Sequence, residues 1–272
     1  MVVFDGQAVH NSKFELALIL RLQTDHHVTG EEKVKKQSVG RISSSSCGKS
    51  AQAGFTLVEI AIVLVIIGLL LGGILKGQEM ITQAKIKNVV NDFNGITAAV
   101  NSYQDRYRAL PGDDRNASTR WTTVSLPSVG TVNGNGQISG RYNNQLGSTA
   151  AVAADESNLF WWHLRLSGFV SGATSGITAA AQPNNAVNGI MGVETGVSGS
   201  LGLGFVSLII CSSNLPDKMA VAVDAQMDDG APGAGQVRGE LQTSTNPNSS
   251  ATAGISAYVE SGTNQYLLCK NL

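Results

Sequence analysis

The most apolar part of the chain runs from Phe55 to Leu75 and contains one charged residue, Glu59. A helix of this length spans about 30 Å at about 1.5 Å per residue, which matches the hydrocarbon core of a bilayer. The pattern therefore predicts a transmembrane helix over 55–75. No second apolar run in the sequence approaches this length, so we expect the chain to cross the membrane once.

Apolar residues continue beyond this segment at spacings of three and four, which predicts an amphipathic continuation of the helix over 76–110. The apolar stripe consists of Ile86, Val89, Val90, Phe93, Ile96, Val100, Tyr103, Tyr107 and Leu110. No proline interrupts it, and Pro111-Gly112 is expected to end the helix. Because the stripe needs a covering surface, we expect the outer half of the helix to pack against a globular head.

The region 111–272 has the composition of such a head, rich in Gly, Asn, Ser and Thr between short apolar stretches. Asn-Gly pairs in 131–149 predict a hairpin or loop, and 155–168 reads as a short helix capped by Gly168. Two apolar stretches, 201–211 and 255–269, are interpreted as strands. The predicted fold class is α+β, with a long N-terminal α-helix packed against a C-terminal antiparallel β-sheet.

Charge indicates how the chain is oriented. Lys and Arg are enriched on the cytoplasmic side of membrane helices, and the segment before the apolar run carries Lys33, Lys35, Lys36, Arg41 and Lys49. We therefore expect a cytoplasmic N-terminus and a head outside the cytoplasm. The formal net charge of −1 argues against a nucleic-acid binder, because duplex binding needs concentrated basic surface.

Glu59 is the anomaly in the apolar run. A carboxylate in a membrane-spanning helix is costly and usually faces a partner or a water-filled cavity. The alternative is an interfacial glutamate near the lipid headgroups, which a charged side chain near a helix end reaches at little cost. A secretory signal peptide does not fit, because the small residues Ala51–Ala53 and Gly54 precede the apolar run instead of following it.

The string "GFTLVEIAIVLVIIGLLLGG" over 54–73 resembles the N-terminal processing and methylation segment of type IV prepilins and type II secretion pseudopilins. The resemblance implies that a prepilin peptidase cuts after Gly54 and methylates the new N-terminal amine of Phe55. Glu59 is then the glutamate at the fifth mature position, which attracts the N-terminal amine of a neighbouring subunit during assembly. Residues 1–54 become the leader peptide.

The leader is long for this family. The sequence has no Met between Met1 and Met80, so a shorter leader requires a non-Met start near Val39. Under that interpretation residues 1–38 are not part of the native chain.

The three cysteines suggest a disulfide in the head. Cys47 lies before the apolar run, so Cys211 and Cys269 form the available pair if the head lies outside the cytoplasm, where disulfides persist. The alternative is two buried thiols.

Known catalytic patterns are missing from the sequence. His163 is the only histidine after Phe55, and no zinc spacing, phosphate loop or hydrolase motif occurs. Clusters of carboxylate oxygens can coordinate Ca²⁺, and some pseudopilins bind calcium in their heads. Asp224, Asp228 and Asp229 are therefore a candidate calcium site. Their spacing does not match an EF-hand, and the other interpretation is an ordinary helix stop and turn.

These observations predict a structural protein with no enzymatic activity and no cofactor besides the candidate calcium. The expected form is a precursor in the bacterial inner membrane that matures into a periplasmic or cell-surface filament, a type IV pilus or a type II secretion pseudopilus. Its expected partners are prepilin peptidase and other pilin or pseudopilin subunits. The alternatives are a singly anchored envelope binding protein that does not polymerise and an anchored hydrolase that uses Asp224, Asp228 or Asp229.

Overall fold

The predicted long helix and antiparallel sheet are both present in the computed structural model, which describes residues 55–122, 132–144, 155–197, 201–252 and 255–272. The leader 1–54, including Gly54 and Cys47, lies outside the described residues. The helices are α1 (Leu57–Tyr107), α2 (Ala117–Arg120), α3 (Glu156–Leu166) and α4 (Asp217–Met227), with a 3-10 turn at Ile177–Ala180. The strands are β1 (Met191–Thr195), β2 (Leu208–Pro216), β3 (Val237–Leu241) and β4 (Gln265–Asn271).

Helix α1 has 51 residues and is about 75 Å long at the usual helical rise. Its first half is exposed at every position from Phe55 to Lys76, whereas its outer half has one buried stripe. That stripe comprises Ile86, Val89, Phe93, Ile96, Ala99, Val100 and Tyr103. The helix ends at Arg108, which adopts a left-handed conformation and donates its N–H to the carbonyl of Gln104. The last helical residue, Tyr107, therefore lies three residues before the predicted end at Leu110.

Among the described residues, α1 alone is long and apolar enough to cross a membrane. Its most apolar window of 18 residues has a mean hydropathy of 2.8 and contains no buried residue. A core helix of a water-soluble protein would bury such a window, so the exposure supports the predicted membrane segment.

The sheet is antiparallel throughout, in the order β1-β2-β4-β3. One face, which includes Ile210 and Leu268, belongs to the main core together with the stripe of α1 and residues of α4. The opposite face forms a second apolar cluster, made of Ile209, Cys211, Leu267 and Cys269 with the loop residues Tyr142, Ile190, Leu203 and Phe205. Because both faces are covered, β2 is buried at all but its two end residues, and β4 is buried over Tyr266–Cys269.

The predicted strand boundaries need correction. Only the end of the stretch 201–211 belongs to a strand, since β2 begins at Leu208. Before it, Leu201 forms an isolated bridge with Val197, and the turn at 202–204 has positive φ angles. Likewise β4 begins at Gln265, and the described part of 255–264 is a loop. In both stretches some of the apolar side chains that precede the strand pack against the core: Leu203 and Phe205 before β2, and Ile255 and Tyr258 before β4.

The predicted helix in the head is α3, and Gly168 follows its end with φ of 79°. Its two tryptophans are core residues: Trp161 packs edge-on against Phe160, and the indole of Trp162 donates to the carbonyl of Thr174 over 2.9 Å. In the predicted hairpin or loop over 131–149, the described residues 132–144 form turns without a strand, and 145–149 lie outside the described residues.

Candidate functional site

The first turn of α1 brings Glu59 back to the start of the helix. Its carboxylate atom Oε2 accepts hydrogen bonds from the backbone N–H and the hydroxyl of Thr56, both at 2.8 Å. The Thr56 hydroxyl in turn accepts the N–H of Glu59 at 3.3 Å. This reciprocal arrangement is a capping box, which satisfies backbone donors that the helix itself leaves unpaired.

The carboxylate is therefore held beside the residue that would become the mature N-terminus. The N–H that it accepts belongs to the peptide bond between Phe55 and Thr56, one residue from the expected amine. The partial positive charge of a helix N-terminus also favours a carboxylate at this place. The other carboxylate oxygen, Oε1, accepts no hydrogen bond from the described residues, so it can accept one from a second molecule.

Apart from the polar residues Thr56 and Glu59, the first half of α1 presents exposed apolar side chains along its whole length. Phe55 is 84% exposed and Leu57 91%, and the large apolar residues that follow remain exposed as far as Ile81. Soluble monomers do not present a continuous apolar surface of this length, which is typical of a lipid-facing or subunit-facing segment.

In the head, Cys211 and Cys269 are joined by a disulfide across the two central strands. They are directly opposite each other in the register of β2 and β4, and both are fully buried. The bond closes a loop with a sequence separation of 58 and lies on the sheet face opposite α1, under Leu203 and Phe205.

The three predicted calcium ligands also come together. Asp224, at the end of α4, and the following Asp228 and Asp229 each offer a carboxylate oxygen within 4.8 Å of the others. All three already accept hydrogen bonds: Asp224 from the hydroxyl of Tyr258, Asp228 from the N–H of Val237, and Asp229 from the N–H of Ala231. These bonds fit the interpretation as a helix stop and turn.

Electrostatics nevertheless leaves negative charge uncompensated in this aspartate cluster. Burial raises the pKa of Asp224, the nearby carboxylates Asp229 and Asp228 raise it further, and the hydrogen bonds from Tyr258 and Gly230 oppose the shift only in part. A hard divalent cation with oxygen ligands would relieve this charge, so the donor set fits Ca²⁺ as well as it fits a turn.

Two further carboxylates, Asp113 and Asp114, lie in the turn after α1 and were not predicted as site residues from the sequence. Asp114 accepts hydrogen bonds from the hydroxyl of Tyr103 at 2.8 Å and from the guanidinium of Arg120 at 2.6 Å. Burial raises the pKa of Asp114, but the hydrogen bonds and the charge of Arg120 outweigh burial and hold it below its ordinary value. The ionised carboxylate thereby fastens the end of α1 to α2.

Asp113 and His163 fasten the same turn to the rest of the head. Asp113 accepts the backbone N–H groups of Gly134 and Gly136, the second at 2.6 Å. The N–H of Gly112 donates to Nδ1 of His163 at 2.9 Å. Burial lowers the pKa of His163 to about 4, so its imidazole is neutral near pH 7 and accepts this bond. The one histidine of the head has a structural role here.

Comparison with known families agrees with the features at the start of α1. A family model described as the prokaryotic N-terminal methylation motif matches residues 49–75. No curated protein matches the chain. The matched segment contains the predicted cleavage site, the capping box of Glu59 and most of the exposed apolar surface of α1. Residues 49–75 thus carry the signature of type IV prepilin- and pseudopilin-like proteins.

Proposed function

We propose that this chain is a structural pilin-like subunit. It is made as an inner-membrane precursor, cleaved by prepilin peptidase after Gly54, methylated at Phe55, and assembled through α1 into a type IV pilus or a type II secretion pseudopilus. The observation that carries the proposal is the methylation motif on a helix whose first half is apolar and fully exposed.

The apolar half of α1 is the contact surface in both the membrane precursor and the filament. In the precursor, the apolar half of α1 is covered by lipid, and in the filament the same half is covered by the helices of neighbouring subunits. Because lipid tails and apolar side chains are similar in polarity, the transfer needs a specific contact to define how the helices align. Glu59 supplies that contact, since its free oxygen Oε1 can accept a bond from the amine of a neighbour.

The anchored binding protein that does not polymerise would share the membrane helix but would not need a processed amine. Its anchor would function equally well without cleavage, whereas the pilin-like subunit requires cleavage to create the partner of Glu59. The state of the N-terminus therefore separates the two functions.

Mass spectrometry of the protein from membranes of cells with an active prepilin peptidase tests the proposal. We expect a chain that begins with N-methylated Phe55. Substitution Gly54→Val should leave the leader attached, because the resemblance assigns the cleavage site to this glycine, whereas the neighbouring substitution Ala53→Ser should still be processed. An intact leader on the wild-type chain in these cells would refute the proposed function.

We also propose that Asp224, Asp228 and Asp229 bind Ca²⁺, because their carboxylate oxygens lie within 4.8 Å of one another and the buried Asp224 has the other two carboxylates beside it. Saturating Ca²⁺ at about 100 times its Kd should stabilise the head by about 2.7 kcal/mol, which raises its Tm by roughly 5–10 °C. Thermal unfolding in Ca²⁺ and in chelator measures this shift.

Asp229→Asn keeps the acceptor for Ala231 but removes a charge, so this variant should lose the Ca²⁺-dependent rise in Tm. Equal Tm values for the wild-type protein in the two buffers would contradict the calcium site.

A further inference from the structure

Two tripeptides in the chain have the form Asn-x-Ser that accepts N-linked glycans: Asn116-Ala117-Ser118 and Asn248-Ser249-Ser250. Such a glycan is bulky and hydrophilic, so it requires an exposed acceptor on a part of the chain outside the cytoplasm. Both tripeptides lie in the head. They differ in whether their side chains already make hydrogen bonds to the rest of the head.

The first tripeptide has a fixed backbone and free side chains. The N–H of Asn116 donates to Asp114 at 2.9 Å, and its carbonyl accepts the N–H of Arg120 at 3.0 Å. Asn116 and Ser118 are both exposed, and within the described ranges neither the carboxamide of Asn116 nor the hydroxyl of Ser118 makes a hydrogen bond. A group added to the carboxamide would break no hydrogen bond among the described residues of the head.

Asn116 also lines a groove with both polar and apolar walls. The groove has a volume of about 750 Å³ and lies between the outer end of α1 and the turn that follows it. Its polar lining includes Asn101, Gln104, Arg108 and Arg115. Amide and guanidinium groups are suitable partners for sugar hydroxyls. The first sugar on Asn116 would therefore lie against hydrogen-bonding groups on rigid elements.

The side chains of the second tripeptide already make hydrogen bonds in the folded head. The side-chain oxygen of Asn248 accepts a hydrogen bond from Asn143 at 3.0 Å. The hydroxyl of Ser249 is buried and donates to Glu194, and the hydroxyl of Ser250 donates to Glu240. These contacts hold the segment onto the sheet. A transferase must reach both the carboxamide of Asn248 and the hydroxyl of Ser250, so modification of this tripeptide would require these contacts to open.

We propose that Asn116 is an acceptor of an N-linked oligosaccharide. The donor class is an oligosaccharide attached to a lipid pyrophosphate, and the reaction needs a membrane-bound transferase. The carboxamide nitrogen of Asn116 forms a bond to C1 of the first sugar while the bond from C1 to the pyrophosphate oxygen breaks. The lipid pyrophosphate leaves, and one amide proton passes to a base of the transferase. The inference rests on the extracytoplasmic head of the proposed function.

The test is intact-mass spectrometry of the full-length chain from a bacterial host that contains an N-oligosaccharyltransferase and its lipid-linked glycan. We expect a mass increase of one glycan. Asn116→Gln and Ser118→Ala should abolish the increase, whereas Ser118→Thr, which restores the hydroxyl, and Asn248→Gln should retain it. An unmodified wild-type chain, or a glycan that persists on the Asn116→Gln variant, overturns the inference.

Thiol labelling of the same samples separates this inference from the proposed function. Blocked Cys211 and Cys269 on an unmodified chain would show that the head reached an oxidising compartment, so the glycan alone would be refuted. Free thiols on an unmodified chain would refute both the glycan and the extracytoplasmic head.

Discussion

Replacing Cys211 and Cys269 together with alanine should lower the free energy of unfolding of the head by about 4 kcal/mol. The disulfide closes a loop with a sequence separation of 58, and in the chain-entropy model a loop of this length restricts the unfolded chain by about that amount. A single domain has about 5–15 kcal/mol in all, so the variant head should be only marginally stable. Because the bond joins the two central strands, its loss affects the whole sheet.

Tryptophan fluorescence during urea unfolding of the detergent-solubilised chain measures this effect. All three tryptophans, Trp121, Trp161 and Trp162, lie in the head, so the membrane helix does not contribute to the signal. Wild-type protein that is unfolded, reduced and refolded in reductant is the matched control, since it loses the bond and keeps both sulfur atoms. Reduced and oxidised wild-type proteins of equal stability would contradict the role of the bond.

The long helix was predictable because its signals are local. Apolar spacings of three and four identified the stripe, and the buried residues of α1 are members of that pattern except for Ala99. The end of the helix was placed three residues late. A left-handed residue at Arg108 ends it, and arginine gives no local signal for that conformation.

An antiparallel sheet was predictable from the sequence, but the residues at which its strands begin and end were not. Leu203 and Phe205 look like strand residues, yet they lie in turns and cover the second face of the sheet. The short strands β1 and β3 have no clear strand pattern in the sequence, because each contains a glycine and at least one charged residue. In β1, the buried carboxylate of Glu194 accepts hydrogen bonds from Tyr142 and Ser249, distant partners that no local pattern shows.

The site residues also divide into those with a local sequence signal and those whose partners are distant along the chain. Phe55 and Glu59 were identified from one short string. The capping partner Thr56 was overlooked, although Thr-x-x-Glu before an apolar run is its signature. Asp113 and Asp114 could not be assigned from local sequence, because Asp113 binds Gly134 and Gly136, more than 20 residues away.

The substitution Glu59→Ala should leave the subunit inserted in the membrane but reduce filament yield by about tenfold or more. The apolar run is unchanged, so insertion is retained. In the proposed function this substitution removes the carboxylate that attracts the amine of Phe55 in a neighbouring subunit, and removing one member of a charge pair in an apolar environment leaves the other uncompensated. Sheared filaments and membrane fractions, measured by immunoblot, give the two quantities.

Two further variants separate the charge of Glu59 from its capping role. Glu59→Gln can still accept the hydrogen bonds of Thr56, because glutamine also forms a capping box, but it carries no charge. Thr56→Val removes the hydroxyl of the box and keeps the carboxylate. If attraction to the amine aligns the helices, the glutamine variant should assemble as poorly as the alanine variant, and the valine variant should still form filaments. Normal assembly of Glu59→Gln would instead assign the role of Glu59 to the helix cap and remove the intermolecular contact from the proposed mechanism.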